Sequence, residues 1–124
     1  MTINVQEKQN LILEKSYKFA IDVVRLYQRL RKEGEFVLSK QVLRSATSIG
    51  ANVEEATAAQ SRKDFAAKMA IASKEARETN YWLILLRDSQ ICHGIDYSTH
   101  IDNSNELIRI LTAIVKTARE NVKG

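Results

Sequence analysis

No proline occurs anywhere in the 124 residues. An average chain of this length would carry roughly six, and they would gather in turns and loops, so the chain has few loops. Cysteine is nearly absent too. Cys92 stands alone, which excludes an internal disulfide and fits a reducing compartment. Of the four glycines, Gly34, Gly94 and Gly124 fall where helical patterns stop, and only Gly50 interrupts one. The longest apolar run, Tyr81–Leu86, is far short of the ~20 residues a membrane span needs. Met1–Lys8 lacks the basic start and apolar run of a secretory signal. The expectation from these absences is a cytoplasmic protein with no membrane partner.

What remains suits a folded protein. Hydrophobic residues make up 44% against 27% charged, which argues against disorder, and the length allows one domain, 1–124, with a real core. Residues 5–32 read as a long helix with Val5, Ile12, Phe19, Val23, Leu26 and Leu30 at helical spacing. A second set, Leu13, Tyr17, Ala20, Ile21, Val24 and Tyr27, widens the stripe and predicts burial against two neighbours. Gly34 is the expected C-cap. A second helix opens with Ser39 as candidate N-cap and stops near Gln60. Its seam is Val42, Ala46, Ile49, Val53 and Ala56, with Gln41, Ser45, Ser48, Asn52 and Glu55 roughly 100° away. Gly50 costs about 1 kcal/mol of helix propensity, which a close helix approach would explain.

Ser61-Arg-Lys-Asp64 fits a capping box ahead of a third helix reaching about Asp88. Its seam is Phe65, Met69, Ala72, Ala76, Thr79, Leu83 and Leu86, flanked by Ile71, Glu75, Glu78, Trp82 and Leu85. A turn covers Ile91–Ile95. A fourth helix runs to about Val122, starting between Tyr97 and Glu106, with Leu107, Ile110, Leu111, Ile114 and Ala118 on one face. No segment alternates with period two. The fold expected is all-α, an up-down-up-down four-helix bundle.

No phosphate-binding glycine loop, paired-cysteine metal site or nucleophile elbow is present. Cys92, His93 and His100, with Asp96 between them, form the one soft-ligand group, short of the four spaced ligands of a zinc site. Ser48 has no histidine in its own helix or the next. Glu55, Glu75 and Glu78 lack the Glu-x-x-His spacing of a di-metal bundle. The expectation is therefore no enzyme, no metal and no cofactor. Arg44, Ser48, Asn52, Glu55, Glu75 and Glu78 read instead as a structural polar network. In it Arg44 pairs with Glu75 or Glu78, and Asn52 sets register.

Nineteen Lys and Arg against fifteen Asp and Glu leave a net charge of +4, compatible with nucleic acid but short of a dedicated binding tail. The surplus sits in residues 1–35 and 61–89, while the other two segments balance. Arg25, Arg29, Arg31, Lys32, Arg62, Lys63 and Lys68 would then form one rim that contacts RNA or DNA. No aromatic residues are interleaved with them, so the contact would be to phosphates and salt-dependent. The alternative is a protein–protein assembly or adaptor module with no nucleic-acid role.

Gln41-Val-Leu-Arg44-Ser-Ala-Thr-Ser48-Ile49-Gly-Ala-Asn52-Val-Glu-Glu55, with Ser61-Arg-Lys-Asp64-Phe65 and Glu75-Ala-Arg-Glu78-Thr-Asn-Tyr81-Trp82-Leu83, resembles the small bacterial four helix bundle proteins. Members of that family are also encoded in intervening sequences of 23S ribosomal RNA genes. The resemblance covers nearly the whole chain and weakens from Asp96 onward. It implies a left-handed bundle that assembles as a homopentamer. It further implies kinship with basic, ring-forming accessory proteins that engage a reverse transcriptase and nucleic acid. Some members carry Pro at the position of Gly50 and Gly at that of Ala56. The family supplies no catalytic residues. Arg44, Asn52, Glu55 and Glu78 match its recurrent polar positions.

Overall fold

The computed structural model describes residues 4–123, except for the Val5 side chain. The apolar position assigned to Val5 and the stop assigned to Gly124 lie outside the described residues. Four α-helices and no strand are present among the described residues: α1 Val5–Lys32, α2 Leu38–Thr57, α3 Arg62–Ser89 and α4 Ser98–Lys123. None of them is long and apolar enough to cross a membrane.

Side-chain pairs fix the direction of each helix against the next. Lys68 on α3 reaches Glu55 near the end of α2, while Glu75 and Glu78 further along meet Arg44 nearer its start. Arg77 of α3 bonds Thr112 of α4, and Asn80, one turn later, bonds Ser104 and Asn105 further back along α4. Lys15 on α1 pairs with Glu106, and Arg29 donates to the Gly94 carbonyl just ahead of α4. Each helix thus runs antiparallel to the next. α4 closes onto α1, while α1 and α3 do not meet.

The seams read from periodicity supply most of the core, except that Phe65 and Ile110 are half-buried while Ala66 and Val115 are buried. Val42, Ala46, Ile49 and Val53 on α2 and Met69, Ala72, Ala76, Leu83 and Leu86 on α3 are fully buried, as are Ile12, Val23 and Leu30 on α1. Each Val, Leu or Ile so placed contributes about 1.5–3 kcal/mol relative to an exposed one. Four serines join them. Ser16, Ser39, Ser45 and Ser104 are buried, and each hydroxyl donates back to a carbonyl three or four residues earlier. Their small volume packs where a larger side chain would hold the helices apart.

The second stripe of α1 behaves differently from expectation. Leu13, Ala20 and Tyr27 are half-buried, but Tyr17 is 70% exposed and Ile21 and Val24 also face solvent. The first stripe of α1 packs on its two neighbours, and among the described residues Tyr17, Ile21 and Val24 of the second are left uncovered.

The helix ends show which residues carry the turns. Gly34 has φ +88° and donates to Arg31, closing α1 in the left-handed region glycine favours. Ser39 is not the cap of α2. Glu35 is, its carboxylate accepting the Ser39 N–H at 2.6 Å and the Val37 N–H at 3.3 Å, while Ser39 lies inside the first turn. α2 stops at Thr57, three residues before Gln60. Ser61 does cap α3 through the Asp64 N–H at 3.0 Å, and Asp64 reaches back to the Gln60 N–H. Beyond α3 the left-handed positions are Gln90 and Cys92, with φ 58° and 56°, and Gly94 is not among them. Asp96 accepts the Ser98 N–H at 2.9 Å and starts α4 at the early edge of its expected range.

Gly50 does mark a close approach. A Cβ there would sit 3.5 Å from the Ser16 carbonyl oxygen, an ordinary van der Waals distance. Alanine therefore fits, and Gly50→Ala is expected to raise the unfolding free energy by up to about 1 kcal/mol, seen as a higher urea midpoint. A lower midpoint would show that α1 and α2 cannot accept a methyl group at this crossing.

Candidate functional site

The polar flanks of α2 and α3 face one another. The Arg44 guanidinium bridges two carboxylates one turn apart, Glu75 at 3.4 Å through one amino group and Glu78 through the other. Glu78 is held from its own helix by Trp82, whose indole N–H donates at 3.1 Å. Beneath this pair, the Ser45 and Thr79 hydroxyl oxygens lie 2.8 Å apart and fully buried. Arg44 is 54% exposed and Glu75 only 18%. The cluster therefore sits on the lid of the α2–α3 seam, where an ion pair contributes about 0.2–1 kcal/mol.

Other members of the expected network are elsewhere. Asn52 donates to the Ser48 carbonyl at 2.8 Å and to its hydroxyl at 3.1 Å, both within α2, so it crosses to no other helix. Glu55 pairs with Lys68 at 3.2 Å, away from Arg44. The amide that ties two helices is Asn80, bonded to Ser104 and Asn105 on α4. Sequence reasoning missed it because its partners lie in the polar stretch before Glu106, where a helix start was left open.

The seven basic residues do not form one rim. Arg25, Arg29, Arg31 and Lys32 lie at the end of α1, beside the α3–α4 connection. Arg62 and Lys63 open α3, and α1 and α3 run parallel. The two groups are separated by the length of α3, about 40 Å at 1.5 Å per residue. Several are also engaged: Arg31 stacks 5.5 Å from the Tyr27 and Phe36 rings and bonds the Tyr27 hydroxyl, Arg29 bonds Gly94, and Lys68 holds Glu55.

A different basic surface is assembled. A groove of about 530 Å³ between α3 and α4 is lined by Lys74, Arg77, Lys116, Arg119 and Lys123, with Glu120 its single carboxylate. Segment totals concealed it. The last segment balances as a whole, yet its acids Asp96, Asp102 and Glu106 come early and its cations Lys116, Arg119 and Lys123 late. Their spacing of three and four residues was the available signal.

At the opposite end of α4, no three His, Cys, Asp or Glu side chains among the described residues group closely enough to hold a metal. Burial, reinforced by Glu33, pushes the Cys92 thiol up, and burial pushes the Tyr97 hydroxyl up to about 12. Burial lowers the His100 pKa, with Asp22 and Asp96 pulling the other way, and His100 Nδ1 has no partner among the described residues. The cluster keeps its thiol and phenol protonated and its imidazole neutral.

The chain matches the 23S rRNA-intervening sequence protein family over residues 8–113. It is also similar to a crystal structure of a protein of unknown function from the S23 ribosomal protein family of Bacteroides thetaiotaomicron VPI-5482. The two share 47% identity at a TM-score of 0.82, over 88% of this chain and 98% of that one. No curated protein sequence matches it.

Two predictions belong to this geometry. A double-mutant cycle of Arg44→Ala and Glu78→Ala is expected to give a coupling of about 0.5–1 kcal/mol. A coupling of zero would make the pair a solvated contact. The second concerns pH. A lowered folded-state pKa at His100 means that the unfolded chain binds the proton first, so its contribution is present above about pH 6.5 and lost below it. The melting temperature is expected to fall between pH 7.5 and 5.5, and less steeply in His100→Gln. An equal fall in both proteins would contradict this.

Proposed function

We propose a function from the premise that the chain belongs to the 23S rRNA-intervening sequence protein family: it is a non-catalytic subunit whose copies join in a ring and together bind RNA or DNA. The ring is taken as five-fold and the bundle as left-handed. Its place of action is the cytoplasm, where the Cys92 thiol stays reduced.

The observation that carries the assembly is the position of the exposed apolar side chains. Tyr17, Ile21 and Val24 stand on α1, and Ile71 and Tyr81 on α3. These helices are diagonal in the bundle, and their backbones do not come close to one another. An apolar patch on α1 and unlike exposed apolar residues on α3, at separate corners, suit a head-to-tail contact in which each copy offers a different surface to each neighbour. A two-fold dimer would use one patch against itself. Head-to-tail contacts close into rings when the rotation between neighbours allows it.

The carboxylates favour a structural role over an acid–base one. Glu75 and Glu78 hold Arg44, and Glu55 holds Lys68. Nucleic acid is the favoured partner because the net charge is positive and a ring repeats each modest basic surface, raising avidity without new contacts. A nucleic-acid enzyme such as a reverse transcriptase would be recruited through the same ring.

Solution mass tests this directly. At micromolar concentration a species of five 14.1 kDa chains is expected, and Tyr17→Lys/Ile21→Lys should reduce it to single chains. A wild-type protein that stays monomeric contradicts the assembly. Mixed-sequence RNA should bind at 50 mM salt and weaken steeply by 200 mM. No binding at the lower salt contradicts the nucleic-acid role and leaves a protein adaptor.

A further inference from the structure

We propose that the groove between α3 and α4 is the seat of the phosphate backbone of a single nucleic-acid strand. The inference rests on the nucleic-acid reading above and gives it a location that no earlier residue assignment includes.

Charge is the first ground. Five cations and one carboxylate line the groove, and none of the five lies within ion-pair distance of a carboxylate among the described residues. Lys15, Arg44, Lys68 and Arg87 are paired, so the groove cations belong to the larger set left available to a ligand. Cations late in α4 also complement that helix's negative end, so Lys116, Arg119 and Lys123 alone would say little. Lys74 and Arg77 have no such reason to be there. They sit in the middle of α3, and the antiparallel packing brings them to the end of α4.

Geometry is the second ground. Arg77 donates to the Thr112 hydroxyl at 3.2 Å, and that hydroxyl also lies 2.7 Å from the Ile108 carbonyl. The guanidinium is thereby aimed across the groove by a neutral partner and keeps its charge for a ligand. Lys116 to Lys123 spans about 10 Å of helix, enough to reach more than one phosphate of a strand. The groove runs along the surface where α3 and α4 pack together, so a strand would lie lengthwise in it. No aromatic side chain lines it, so bases are not stacked and sequence is not read. None of the exposed apolar residues proposed to join copies is among its lining residues.

The test uses the full chain and fluorescent 20-nucleotide RNA and DNA strands of one mixed sequence, with polyglutamate as a third probe. Binding is followed by anisotropy at 50 and 200 mM salt. Lys74→Gln/Lys116→Gln is compared with Lys18→Gln/Lys40→Gln, which removes the same charge elsewhere. The groove variant is expected to lose at least tenfold in affinity at 50 mM, with its salt slope shallower by about 1.4, that is 0.7 for each of two lost contacts. The other variant should change less than threefold. Lys74→Arg/Lys116→Arg should bind like the wild type, which guards against a folding defect in the glutamine variant.

The RNA and DNA arms show which strand is preferred. Equal losses in both glutamine variants would reduce the effect to net charge and overturn the proposal. A loss confined to Arg25→Gln/Lys32→Gln would move the contact to α1 and overturn it too. Polyglutamate binding more tightly than either strand would assign the groove to an acidic protein. If the wild type binds and the groove variant binds as well, the groove fails and the nucleic-acid reading stands. If the wild type binds neither strand at 50 mM, both fail together.

Discussion

The antiparallel course of each helix against the next is the constraint on which the rest of this molecule depends. It makes α1 and α3 parallel and diagonal, so they share no contact and their exposed apolar residues cannot merge into one patch. It separates the cations at the end of α1 from those at the start of α3. It also carries the middle of α3 to the last turns of α4, where Lys74 and Arg77 meet Lys116, Arg119 and Lys123. The surface chemistry is thus a consequence of direction as much as of composition.

The α2–α3 seam shows how that course is held. Alanines at 46, 72 and 76 are fully buried and let Ile49, Val53, Met69 and Leu83 interlock. The Ser45–Thr79 hydroxyl pair fixes the offset between the two helices from inside. Arg44 with Glu75 and Glu78 closes the seam from outside, where water screens it. Of the residues that carry the family resemblance, Arg44, Glu75 and Glu78 thus meet across this seam. Apolar burial is the larger contribution, since an exposed ion pair is worth about 0.2–1 kcal/mol against about 1.5–3 kcal/mol for a buried Leu or Ile. Asn80 ties α3 to α4.

Periodicity was enough to find all four helices, because an apolar step of three and four residues leaves a mark that needs no partner to be read. The Arg44 pairing was legible for a related reason: matching polar stripes beside matching seams must face each other. Capping by Glu35 was not legible, since a glutamate four residues ahead of Ser39 is a weaker signal than the serine itself. The left-handed Gln90 and Cys92 were hidden behind Gly94, the residue that usually takes such angles. The basic groove was missed because charges were summed by segment, whereas grooves are built from half-helices of different segments. The single rim expected from Arg25 through Lys68 failed on direction, which was already implied by an up-down-up-down chain.

In the proposed function, the α3–α4 groove makes the chain a subunit that repeats a modest phosphate site around an assembly. One measurement reads the contact itself: photo-crosslinking of the assembled wild-type protein to single-stranded RNA, with the modified peptides mapped by mass spectrometry. The expected result is adducts on peptides spanning Lys74–Arg77 and Lys116–Lys123. Adducts confined to the end of α1 or the start of α3, or none at all, would contradict it.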